Sequence, residues 1–269
     1  MDWYQIVVLS YFISSFFYGI HFWNKSKNLP RLGFYFIVLG SFVQTLSILY
    51  TYFKGSSLAQ GFDTTLYLFG WFISLVYIAS QFKFKASLLG AFAAPLAFIL
   101  TIPYLIIPHG LIGTNQTLSN PWILIHIALI LIGEALFTVA FISGILYIFQ
   151  ENQIKSKHVG RLLENFPSLT ALDKINHLCL IIGFPLVTIG IALGFLLAKQ
   201  IFGSDWVWGL KETWSMVTWV LYAVLIHGRL SSGWKGRKAA WGAILGFAII
   251  ILTLLVIGYF SPGQQKLLG

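Results

Sequence analysis

The residues of this 269-residue chain that could do chemistry are few: six histidines, one glutamate inside an apolar run, and the stretch GSDWVWGLKETW at 203–214. His126 follows Trp122, Ile123, Leu124 and Ile125, whose side chains offer no acceptor for a ring N–H, so that partner has to come from another element. A neutral imidazole in apolar, aromatic-lined surroundings suits a haem iron as an axial ligand. It equally suits an interfacial histidine bonded to a loop carbonyl. His227 lies sixteen residues after Lys211, about 24 Å along a helix and so about a bilayer's width. One haem cannot reach both His126 and His227. If both are ligands there are two sites, one near each face; otherwise His227 is a ring that snorkels to headgroups beside Arg229. His177 and His21 fall on the His227 side and could meet it across a bundle, His158 sits in a basic loop, and His109 could be a second ligand on the His126 side.

The 203–214 stretch gathers Trp206, Trp208 and Trp214 with Asp205, Lys211 and Glu212, in a chain only 9% charged. Such tryptophans can be a plain interfacial belt. Flat exposed aromatics also suit a planar hydrophobic ligand, with Lys211 paired to its carboxylates and Trp214, Thr218 and Tyr222 continuing along one helix face. Glu212 also makes a favourable first turn. Glu134 stands eight residues after His126, within about 80° of it around a helix. A charged carboxylate at that depth costs up to about 3 kcal/mol, so Glu134 is expected protonated or paired, with Thr138, Ser143 or a neighbouring span. It could serve a proton or cation role or be a polar packing contact.

The elements that must carry these residues are membrane helices. The chain is 58% apolar and 17% aromatic, outside the soluble range. Its net charge of +9 falls in short loops, where it sets topology instead of binding nucleic acid. Cys179 is the only cysteine, which excludes an intramolecular disulfide, a C-x-x-C redox pair and a cysteine metal cluster. The start, MDWYQIVV, lacks a basic n-region and a cleavage site, so the first apolar run is expected to stay as a helix.

Eight runs reach spanning length: 4–23, 33–53, 65–82, 86–107, 122–150, 177–202, 212–230 and 239–260. Thirteen of the seventeen Lys and Arg lie in the loops after the first, third, fifth and seventh or, for Arg229, in the last turn before one. The positive-inside rule then puts both termini outside the cytoplasm. The 203–214 and 108–121 loops face outward, while the loop 151–176 is cytoplasmic and part helical, with Ser168 or Thr170, then Asp173, as candidate caps. The fold expected is all-α, a single transmembrane domain over 1–269 made of a four-helix part (1–120) and a second part (121–269).

Several blocks from about 121 to 250, in order, carry a family likeness: WILIHIALILIGEALFTVAFISGILYI, FPSLTALDKINH, GFPLVTIGIALG, WVWGLKETWSMVTWVLYAVLIHGR and GWKGRKAAW. Here the sequence resembles the cytochrome c assembly proteins of CcsA, ResC and CcmC type; the first four spans are similar only in hydropathy. The resemblance implies that 121–269 handles non-covalent b-type haem, with the tryptophan loop presenting it outside the membrane for attachment to apocytochrome c. His126 matches the external ligand histidine before the loop. Trp206, Trp208, Lys211, Glu212 and Trp214 match the haem-presenting surface, and His227 matches the histidine of an inner haem site. The chain would act beside a partner biogenesis membrane protein, as a component of a synthase system and not an independent enzyme, in a bacterial plasma membrane.

Two departures qualify the likeness. Gly209 and Leu210 precede Lys211 where the family carries an acidic residue and proline, and the tail SPGQQKLLG has Gln264 and Gln265 where a second external histidine is expected. His109 could replace it. The departures also resemble a HemX-like branch, which implies a regulator or adaptor contacting a soluble haem-biosynthesis enzyme through the loop 151–176. A transporter of haem or another amphipathic solute, working through Glu134, is the third reading.

Overall fold

The computed structural model describes residues 2–23, 26, 28–54, 62–106, 121–157, 166–202 and 210–260. Within them lie eight α-helices and no strand: α1 (Trp3–Trp23), α2 (Leu29–Phe53), α3 (Phe62–Phe84), α4 (Gly90–Ile106), α5 (Pro121–Lys155), α6 (Leu169–Phe202), α7 (Leu210–Ser231) and α8 (Arg237–Phe260). A 3-10 turn, Ser87–Leu89, leads into α4. Six helices are long and apolar enough to cross a membrane among the described residues, namely α1 to α6.

Local chemistry sets the helix ends. Pro30 stands in the first turn of α2, where its missing N–H loses nothing. Ser168 caps α6: its hydroxyl accepts the Ala171 N–H at 3.2 Å and its carbonyl the Leu172 N–H at 3.0 Å. That cap starts α6 eight residues before the apolar run that begins at 177. α5 runs for 35 residues, about 52 Å, and its last turn lies beyond the expected end at 150. There Glu151 pairs with Lys155 and with Arg237 of α8, both at 2.9 Å.

The helices pack as two groups of four. In the first, α1 lies against α2 and α4, and α3 against α4; in the second, α5 lies along α6 and α8, and α7 along α8, with α3 and α5 joining the groups. The surface is apolar, with Phe16, Phe42 and Ile99 pointing outward, while Ser14, Ser41, Gln44, Ser74 and Thr101 are buried. Lipid removes the usual reason to hide apolar side chains, so hydrogen bonds and close contact between small residues hold such helices together. Accordingly the Tyr11 hydroxyl donates to Gln44 Oε1 at 2.7 Å and meets Ser74 Oγ at 3.0 Å, which joins α1, α2 and α3.

The α5–α6 seam is built on glycine. A Cβ on Gly133 would stand 3.0 Å from the carbonyl of Gly183, and one on Gly190 would stand 2.7 Å from Ile130 Cδ1. Backbones this close leave no room for larger residues, and they bring α6 against the face of α5 that bears His126.

Candidate functional site at the start of α5

His126 lies one turn into α5, half-buried, with its Nδ1 2.6 Å from the carbonyl oxygen of Gly190 on α6. A carbonyl can only accept, so Nδ1 carries the proton and the neutral ring has its lone pair on Nε2. The ring edge rests on Gly194, where a Cβ would stand 2.5 Å from Cε1. The partner that the sequence requires from another element is thus a helix backbone. A histidine whose second nitrogen donates to a backbone carbonyl has the arrangement found in metal ligation.

α7 faces α6 across the same level. Trp219 donates from Nε1 to Thr188 Oγ1 at 2.9 Å and stacks on Phe184 with ring centroids 5.6 Å apart. Nothing in the sequence around Trp219 distinguishes it from a belt tryptophan; its role appears only once α6 lies beside α7. Trp214 and Glu212 are half-buried near the start of α7. Below them the expected exposed face is a packed one: Thr218 Oγ1 donates to the Trp214 carbonyl at 3.0 Å, and Tyr222 is fully buried with its ring 3.6 Å from that of Phe137. Of Trp214, Thr218 and Tyr222, only Trp214 keeps surface for a ligand. Trp206, Trp208, His109, Gln264 and Gln265, together with the Lys211 side chain, lie outside the described residues.

Glu134 is half-buried, two turns further along α5. The hydroxyls expected to pair with it are committed to backbone: Thr138 donates to the Glu134 carbonyl and Ser143 to that of Val139, both at 2.8 Å.

At the opposite end of the bundle, His227 is exposed, with Nδ1 3.4 Å from Ser231 Oγ one turn on. His177 does not turn toward it: its Nδ1 accepts from Arg229 Nε at 3.1 Å, which leaves the neutral ring's proton on Nε2. His21 is buried at the end of α1, in the first helix group. His158 lies outside the described residues.

Arg229 is the polar centre at this end. Its side chain is 2% exposed and bonds Asp173 Oδ1 at 2.9 Å and Asn176 Oδ1 at 2.7 Å. Asn176 donates onward to the Ala140 carbonyl of α5 at 2.8 Å, and Asp173 Oδ1 also accepts the Gly236 N–H at 3.0 Å. Gly236 adopts φ +59°, which a residue without Cβ takes at no steric cost. One guanidinium therefore ties α6, α7 and the α7–α8 turn together. Among the described residues no three His, Cys, Asp or Glu side chains converge. Among the described residues His126 is the one histidine at its end, and a single imidazole suits a macrocycle that brings its own four nitrogens.

The model of the family described as cytochrome C assembly protein matches residues 60–263. The chain belongs to that family. It is similar to curated proteins called cytochrome c biogenesis protein CcsA: 27% identical to the one from Guillardia theta, over 97% of this chain and 94% of that protein. A second, from Prochlorococcus marinus (strain MIT 9301), is 25% identical over 92% of this chain and 87% of that one. Porphyra purpurea has another, 26% identical over 80% of this chain and 78% of that protein. Among solved structures the fold is similar to that of the cytochrome c haem lyase CcmF, with a TM-score of 0.59 at 13% identity. That likeness covers 94% of this chain and 45% of that one. The family model reaches back to residue 60, just before α3, so the family likeness extends beyond the 121–250 blocks into the first helix group. The chain is an integral membrane protein of this family.

Proposed function

We propose that this protein takes part in cytochrome c assembly by holding haem at the non-cytoplasmic face of the membrane, between the start of α5 and the segment 203–214, for attachment to apocytochrome c. The observation that carries the reading is His126, whose Nδ1 is engaged by the Gly190 carbonyl so that Nε2 holds the lone pair. Family membership and the CcsA relatives support it. Haem bound here would bring an iron that takes nitrogen ligands. The chain's own part is to offer the His126 imidazole, to pack Trp206, Trp208 and Trp214 on the macrocycle, and to set Lys211 against a propionate. A partner membrane protein brings the apocytochrome and its thiols, since Cys179 is the chain's one cysteine and is buried.

Eight spans with both termini outside the cytoplasm go with this reading, supported by the charge bias of the loops. His227 is the ligand candidate for an inner site, and a bacterial plasma membrane is the proposed location. The test is an absorption spectrum of the detergent-purified protein, oxidised and reduced, with His126→Ala and His227→Ala alongside. The reading expects a sharp Soret band that His126→Ala weakens or shifts, and a separate effect of His227→Ala. A colourless protein from haem-replete cells that takes up no added haemin would remove its central statement. The HemX-like regulatory reading, which Gln264 and Gln265 favour, would then lead.

A further inference from the structure

We infer that Gly194, together with the carbonyl of Gly190, is the positioning element of the His126 site, holding the imidazole as the Nδ1–H tautomer so that Nε2 is its ligand nitrogen. The inference rests on the haem-holding reading and adds to it two residues outside the tryptophan segment.

Two independent contacts carry it. The Gly190 carbonyl, 2.6 Å from Nδ1, fixes where the proton sits, because a carbonyl cannot donate. Gly194 fixes how close the ring comes. A Cβ there would meet His126 Cε1 at 2.5 Å, Nδ1 at 3.0 Å and Nε2 at 3.3 Å, and these are its three nearest atoms. The space that any other residue would fill at 194 is therefore taken by the imidazole itself. Further along the seam Gly183 is also tight, at 2.8 Å, but against the Phe137 ring and the Gly133 carbonyl. Gly183 thus serves helix packing, and Gly194 serves the histidine.

His177, engaged at the same ring nitrogen, shows that the fold discriminates. Arg229 donates to Nδ1 of His177, which puts that ring in the opposite tautomer with Nε2 protonated. Of the two, only His126 has an acceptor against its Nδ1, which places the lone pair of its neutral ring on Nε2. An alanine at 194 would push the ring off α6, lengthen the bond to Gly190 and free the proton to move between the two nitrogens.

The experiment uses the full chain in lipid bilayers with 15N-labelled histidine and no haem, read by solid-state NMR, with His126→Ala to assign the signal. The expected result is a single Nδ1–H neutral tautomer for His126, lost or mixed in Gly194→Ala. Haemin titration of the same samples should show Gly194→Ala weakening binding about ten- to a hundredfold, the usual consequence of disturbing a ligand's supporting shell. Gly40→Ala, also crowded but against Tyr11 in the first helix group, should leave the titration unchanged. An Nε2–H tautomer in the unmodified protein overturns the inference, and so does a Gly194→Ala chain that keeps both tautomer and affinity, or a Gly40→Ala chain that loses as much haemin. The tautomer measurement on the unmodified protein decides even where Gly194→Ala does not fold. If His126→Ala leaves haemin binding intact, the haem-holding reading at His126 falls, while the tautomer still reports on what Gly190 and Gly194 do.

Discussion

His126 and Trp219 are anchored to the same turn of α6: the histidine through the carbonyl of Gly190, the tryptophan through the hydroxyl of Thr188. α6 thereby sets the separation between α5 and α7 at the level where the candidate site opens. The bond from α7 is the more easily cut. Thr188→Val should cost about 0.5–1.5 kcal/mol of stability, read as a lowered melting temperature in detergent. Trp219→Phe in the Thr188→Val background should add less than it does alone, because the shared hydrogen bond has already gone. Full additivity would show that the contact carries no coupling.

Arg229 should be the least replaceable residue at the far end. Its side chain is 2% exposed and ion-paired to Asp173. Arg229→Ala leaves that carboxylate beside a desolvated cavity, a change that costs about 3–5 kcal/mol for buried pairs. Arg229→Lys cannot bond Asp173, Asn176 and His177 at once, so it should recover only part of the loss. Protease resistance and yield of monodisperse protein would measure both. A fully stable Arg229→Ala chain would mean that the cluster is not holding α6 to α7.

In the first helix group, Tyr11→Phe removes the donor to buried Gln44 Oε1. An orphaned buried acceptor costs about 1–3 kcal/mol. The double variant Tyr11→Phe with Gln44→Leu should be less destabilised than the sum of its parts, as thermal unfolding would show, because the orphan disappears with its partner.

Topology can be read by accessibility labelling in a Cys179→Ala background. Ser26→Cys, in the basic loop after α1, should react with an impermeant thiol reagent only from the cytoplasmic side, and Asp2→Cys only from the opposite side. Labelling of both from one side would contradict a first helix that spans.

Much of the architecture is legible along the chain because it is written in local terms. Runs of apolar residues mark the helices, since any other spanning backbone would leave unpaired N–H and C=O groups in lipid. Ser168 announces the start of α6, although hydropathy alone places the run at 177. The need of His126 for an outside acceptor is also readable, because none of the side chains from Trp122 to Ile125 can accept a hydrogen bond.

The identity of each partner is not written locally. Gly190 and Gly194 become the seat of His126 only when α5 and α6 close to glycine contact. Tyr222, which hydropathy leaves free to face a ligand, is buried because α7 turns it onto Phe137. His177 and His227 fall on the same side of the chain's spans, yet Arg229 takes His177 and leaves His227 exposed. The period of a helix tells which residues share a face, and the packing of one helix on another chooses what that face meets. The number of helices and the place of their apolar runs therefore belong to the sequence read locally, whereas the hydrogen bond that sets the tautomer of His126 exists only in the assembled bundle.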